Sequence, residues 1–150
     1  MKTWRMVHDS ADVEELMRVT EHFHDCYMAG FKYDPLARAA DNSKSLARFV
    51  SDTNSLVFCF RYDSTGSDGE WPEIELEFHG VHTMRFSNCG EPDPCYECFV
   101  EKTERGWVFS VDHQLTAEER NHPNETDAHS YVFADEICWR HVEGTLWADE

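Results

Sequence analysis

The sequence predicts a sheet-dominated α+β domain. One amphipathic helix near the N-terminus is joined to about seven or eight mainly antiparallel strands, arranged as a sandwich or a partly open barrel. Three observations predict this class. In Pro72 to Val81, Ile74, Leu76 and Phe78 alternate with Glu73, Glu75, Glu77 and His79, the period of two that sends successive side chains to opposite faces of a strand. Helical periodicity is convincing in one place only, from Asp9 to Phe23. Elsewhere aromatic and β-branched runs are divided by turn residues, as in Glu104-Arg105-Gly106. At 150 residues the chain has the size of one ordinary domain, spanning 1–150. A chain of that length buries roughly 70% of its unfolded surface.

Lys2 to Val7 reads as a short edge strand, with Trp4 and Met6 on one face. Asp9 or Ser10 then caps a helix, Asp12 sits in its first turn, and Val13, Leu16, Met17, Thr20 and Phe23 form the inward stripe. After Phe23-His24-Asp25 the period becomes two. Tyr27, Ala29, Phe31 and Tyr33 take one side, and Cys26, Met28 and Lys32 the other. Asp34 to Ser43 is a connection, and Lys44 to Val50 a short strand. Asn54 to Tyr62 holds an unbroken apolar run, expected of a strand covered on both faces near the sheet centre.

Asp63 to Glu70 is a Gly-bearing loop. Gly80 interrupts the next strand as a bulge would, so that His82, Met84 and Phe86 continue it in shifted register. Cys95 to Lys102 pairs through a hairpin with a strand whose inward face is Trp107, Phe109 and Val111. Gln114 to Asp127 reads as an exposed loop, in which Thr116 to Glu119 has the form of a capping box. Ala128 to Val142 closes the fold as a long strand. Tyr131, Phe133, Ile137 and Trp139 alternate there with Val132, Ala134, Cys138 and Val142.

Thirty Asp and Glu against 13 Lys and Arg give a formal charge of -17. That balance argues against nucleic acid and anionic membrane surfaces, both of which select clustered positive charge, and favours a basic protein partner. The same acidity also serves solubility alone. No apolar run approaches the ~20 residues of a membrane helix, and the first ten residues carry no leader-like stretch. The expectation is a cytoplasmic protein whose six cysteines are thiols rather than disulfides.

Several pieces of the chain, in order, resemble a group of small, uncharacterised, β-rich bacterial proteins. They are Trp4, the run Asp12-Val13-Glu14-Glu15-Leu16-Met17, Phe23-His24-Asp25-Cys26, Ile74-Glu75-Leu76-Glu77-Phe78 with Gly80, and Trp139-Arg140. At the Phe-His-Asp junction such proteins commonly carry Ser where this chain has Cys26. Some similar sequences are associated with polymorphic-toxin systems as immunity proteins. The resemblance implies a binding protein and brings no catalytic motif with it.

No stretch specifies a reaction. Phe23, His24 and Asp25 read as a structural junction, because adjacent residues on a strand face opposite ways and do not form a base and its partner. Cys95-Tyr-Glu-Cys98, with Cys89 upstream, invites a zinc reading. On a regular strand those two thiols point to opposite faces and chelate only if the backbone turns. Glu73, Glu75 and Glu77 lie about 7 Å apart along one face. Such a row is stable when solvated, when opposed by cations such as Arg61, Arg85 or Lys102, or when it meets a basic partner. Trp71 and Trp147 are candidates for exposed aromatic contacts, and residues 124–126 match a glycosylation sequon.

The leading expectation is therefore a non-enzymatic cytoplasmic binding protein, an immunity protein among the candidates. It would meet a basic toxin domain through Glu73, Glu75, Glu77 and His79 and adjoining loops, without a cofactor. The alternative is a small metal-binding module or metal-dependent enzyme using Cys95 and Cys98 with His24, His79 or His82. Exposed strand edges also admit a homodimer.

Overall fold

The computed structural model describes residues 3–34, 37–39, 49–51, 54–61, 73–86, 95–122 and 130–142. Nine strands and two α-helices occur among them: β1 (Arg5–Met6), α1 (Ser10–Thr20), β2 (Tyr27–Asp34), β3 (Ala37–Ala39), β4 (Phe49–Ser51), β5 (Ser55–Arg61), β6 (Glu73–Arg85), β7 (Cys98–Thr103), β8 (Gly106–Val111), α2 (Ala117–Asn121) and β9 (Ser130–Val142). Seven strands form one open sheet in the order β2-β5-β6-β9-β8-β7, with β1 added beside β9, and β3 pairs with β4 separately. The described pairings are antiparallel.

Helix α1 starts where the sequence places it. The Asp9 carboxylate accepts the Asp12 amide at 3.0 Å, satisfying a donor that the helix leaves unpaired, and the Asp12 carboxylate accepts the amide of His8, just before the cap, at 2.8 Å. Leu16, Met17 and Thr20 are buried, and Thr20 returns its hydroxyl proton to the Leu16 carbonyl at 2.9 Å. The helix stops by turning left-handed. Glu21, His22, Phe23 and Asp25 all have positive φ between 52° and 60°. This junction drives Phe23 into the core, edge-on to Phe60 at 5.3 Å and to Phe109 at 5.8 Å. Val7, Leu16 and Met17 join it in one cluster with Phe58, Phe60, Ile74, Leu76, Phe78, Ile137 and Trp139.

Irregularities change the face that several strands present. Register shifts between Met28 and Gly30, so Met28 packs on the core and Phe31 lies opposite core Phe58, which breaks the alternation expected across Ala29. Just before the β6 register shift between Val81 and Thr83, Gly80 has φ +66°, and a Cβ there would run into the Asp135 carboxylate. The Asn54 side chain clamps this bulge. It accepts the Val81 amide at 2.5 Å and donates to the Val81 carbonyl at 3.0 Å. On β9 the phase changes at exposed Asp135 and Glu136. Val132 and Ala134 therefore share the core with Ile137 and Trp139, while Tyr131 and Phe133 form a second cluster with Val108 and Leu115. Strand β5 lies next to the β2 edge, and β6 and β9 form the centre.

In the stretch expected to be an exposed loop, Leu115 is buried and the Thr116–Glu119 capping box starts α2. The connection after β2 contributes β3. No described helix is long and apolar enough to cross a membrane.

Candidate functional site

On β6 the side chains at 73, 75, 77 and 79 occupy the face opposite the aromatic core. Register sets Arg61 beside Glu73, Cys59 and Arg140 beside Glu75, Val57 and Cys138 beside Glu77, and Glu136 beside His79. The row divides into two halves. Glu73 and Glu75 are each only 4% exposed. Glu73 accepts from Arg61 Nε at 2.7 Å, and Glu75 from Arg140 Nε and a terminal guanidinium nitrogen at 3.3 and 3.2 Å. The Trp4 ring lies 4.3 Å from the Arg140 guanidinium carbon, closing a stack over the pair. Burial raises the Glu75 carboxyl above its ordinary range, with Arg140 opposing the shift.

Of the three cations named from sequence, Arg61 alone joins the row. Arg85 sits opposite Tyr131, and the Lys102 ammonium lies 5.5 Å from the Trp107 ring centre. Glu73 and Glu75 are therefore buried, internally paired carboxylates.

The outward half is different. Glu77 and His79 are part-buried, and their side chains meet Cys138 from β9. His79 Nε2 lies 3.3 Å from Glu77 Oε1, Cys138 Sγ lies 3.9 Å from that nitrogen, and Glu77 Oε2 lies 4.0 Å from the sulfur. Burial first, then the neighbouring Glu77 and Glu136 carboxylates, push the Cys138 thiol up to about 12.

The second thiol group lies across the sheet. Cys95 is not part of β7. It forms an isolated bridge with Cys26, its amide donating to the Cys26 carbonyl at 2.7 Å, while the Asp25 amide donates to the Cys95 carbonyl at 2.8 Å. The chain then bends, and Asp112 brackets the bend by accepting the Tyr96 and Glu97 amides at 2.6 and 3.0 Å. The turn required for approach is thus present. Cys98 holds the Cys95 thiol below its ordinary value, whereas burial raises Cys98 and takes Cys26 up to about 12. The five described cysteines are free thiols. Cys89, Trp71, Trp147 and residues 124–126 lie outside the described residues.

At the helix-to-strand junction, Phe23 is fully buried. His24 and Asp25 do pair with each other, Nδ1 to Oδ2 at 3.0 Å, contrary to the opposite orientation expected on a strand. The positive φ of Asp25 removes the extended geometry on which that expectation rested. Both side chains are largely exposed. His82 bonds Asp135 at 2.6 Å and so takes no part in either thiol group.

A cavity of about 370 Å³ opens between the start of α1 and the β7–β8 hairpin, walled by Asp9, Val13, Val100, Lys102 and Trp107. The residues missed from sequence are Cys138 and Arg140. Each is more than 60 positions from its β6 partner, and only the β6–β9 register joins them. Comparison with protein-family models, curated proteins and solved structures returned no match.

Proposed function

We propose that this chain is a non-enzymatic cytoplasmic binding protein whose partner is a basic protein domain, in the manner of an immunity protein that occludes a toxin. The observation that supports the reading is the β2 edge. Phe31 is 50% exposed and Tyr33 40% exposed on a strand that has no outer neighbour among the described residues, in a chain of net charge -17. Phe31 stacks on Phe86 at 6.0 Å, so the ring is held in place without being covered. Rigid aromatic anchors supply affinity at low entropic cost, and surrounding carboxylates speed encounter with a basic surface. The contact surface is accordingly the β2 edge rather than the paired carboxylates of β6.

The test is capture from the native host at low and physiological salt, identification by mass spectrometry, and rebinding with both proteins purified. One basic partner, associating more slowly as salt rises and lost with Phe31→Ser/Tyr33→Ser at unchanged circular dichroism, supports the reading. Binding that ignores both salt and these substitutions contradicts it, and concentration-dependent sedimentation of the chain alone assigns the edge to a homodimer instead.

A second reading, a metal-binding module on Cys95 and Cys98, draws support from the Asp112-bracketed bend that brings these thiols together. Metal analysis of protein purified without a His tag tests it. On this reading the zinc content falls by about one equivalent in Cys95→Ser/Cys98→Ser, and a content that this variant leaves unchanged contradicts it.

A further inference from the structure

We propose that Glu77, His79 and Cys138 form a mononuclear site for a zinc-class divalent cation, separate from the Cys95–Cys98 bend. One ligand atom from each residue lies within 4.8 Å of the other two, with His79 Nε2 at 3.3 Å from Glu77 Oε1 and 3.9 Å from Cys138 Sγ, and the second Glu77 oxygen, Oε2, at 4.0 Å from the sulfur. With metal–nitrogen and metal–oxygen bonds of about 2.0 Å and a metal–sulfur bond of about 2.3 Å, tetrahedral ligands stand roughly 3.3–3.6 Å apart. To close on one ion the Glu77 carboxylate turns so that one oxygen serves both neighbours, and the sulfur moves in towards the imidazole nitrogen.

The backbone makes this convergence natural. Glu77 and His79 are two apart on β6 and share a face, and Cys138 is the direct cross-strand neighbour of Glu77 on β9. These are the two central strands of the sheet, so the donors stand on its most constrained backbone.

A second observation separates Glu77 from the rest of its row. Glu73 and Glu75 each have a guanidinium partner, whereas Glu77 has none among the described residues and its partners are the other two members of the cluster. A thiolate, an imidazole and a carboxylate together suit zinc or cobalt and not magnesium or calcium, which take oxygen ligands. His79 is 34% exposed and Glu77 19% by side chain, so the fourth position faces solvent and admits water or an external donor.

Cobalt(II) reports each ligand type and is the probe. Full-length chain without a His tag, stripped with chelator, is titrated with Co²⁺ and then Zn²⁺. One equivalent of cobalt should bind with a thiolate-to-cobalt charge-transfer band and intense tetrahedral d–d absorption, and zinc should displace it. Cys138→Ser should abolish the charge-transfer band, and His79→Gln or Glu77→Gln should weaken binding by more than about 10-fold while leaving the band. Cys95→Ser/Cys98→Ser should leave the spectrum unchanged. Failure to bind cobalt, or a band that survives Cys138→Ser and vanishes in the Cys95/Cys98 variant, overturns the assignment. Should Cys138→Ser not fold, the two glutamine variants decide: undiminished affinity in both overturns it equally.

Discussion

The two faces of strand β6 are built from one alternating sequence and are both substantially buried, yet they are held by different physics. Ile74, Leu76 and Phe78 enter an aromatic and aliphatic core under α1, where Phe58 and Phe78 meet edge-on at 5.9 Å. Glu73 and Glu75 enter a face where each carboxylate must find one particular guanidinium. Apolar contact is non-directional and tolerates neighbours of similar volume. A buried carboxylate tolerates only its partner. The core face therefore specifies that the strand is inside, and the opposite face specifies which strands lie beside it.

Substitutions on the two faces should separate these effects. Phe78→Ala removes a fully buried ring and should lower unfolding stability by about 3–5 kcal/mol in urea denaturation, with little dependence on pH. Arg140→Met should cost about 3 kcal/mol at pH 7, because it leaves the Glu75 charge buried and unpaired. Its signature is pH dependence. Loss of Arg140 removes the positive charge that opposes the upward shift of Glu75, so the penalty is full above the raised pKa and fades as the carboxyl takes up its proton. The gap to the parent protein should thus narrow as pH falls from 7 towards the ordinary value of 4.5.

Arg61→Ala should cost somewhat less, about 2 kcal/mol, since it also strands a buried carboxylate but the Arg61 side chain is 44% exposed and water reaches the pair from that side. Thr116→Ala, which removes the cap of short, exposed α2, should cost about 0.5–1 kcal/mol. A pH-independent Arg140→Met, or an Arg61→Ala as costly as Phe78→Ala, would break the distinction between the faces.

What the sequence made legible is what short-range chemistry determines. The Asp9 cap, the α1 stripe, the β7–β8 hairpin, the capping box at Thr116 and the Gly80 bulge each depend on a few consecutive residues, and each is present. Alternation also identified the inward face of β6 correctly. It failed at Ala29 and at Asp135–Glu136, where one irregular residue exchanges the faces of all that follow. For the carboxylate row it set the residues on one face, and of the cations named beside them Arg61 pairs with Glu73. Period two states which side chains share a face, but not that Arg140 arrives from β9 to bury one of them. His24 and Asp25 show the same limit, since their contact depends on a left-handed backbone that the strand pattern conceals. Cys138 was read only as one phase of a strand, and strand register alone sets it beside Glu77 and His79.

A double-mutant cycle on Glu75 and Arg140 tests this account most directly, with Glu75→Leu, Arg140→Met and the pair together compared by urea unfolding at pH 7. If the inner carboxylates are structural ion pairs, the double variant should recover about 2 kcal/mol relative to the sum of the single losses. Strictly additive losses would contradict it.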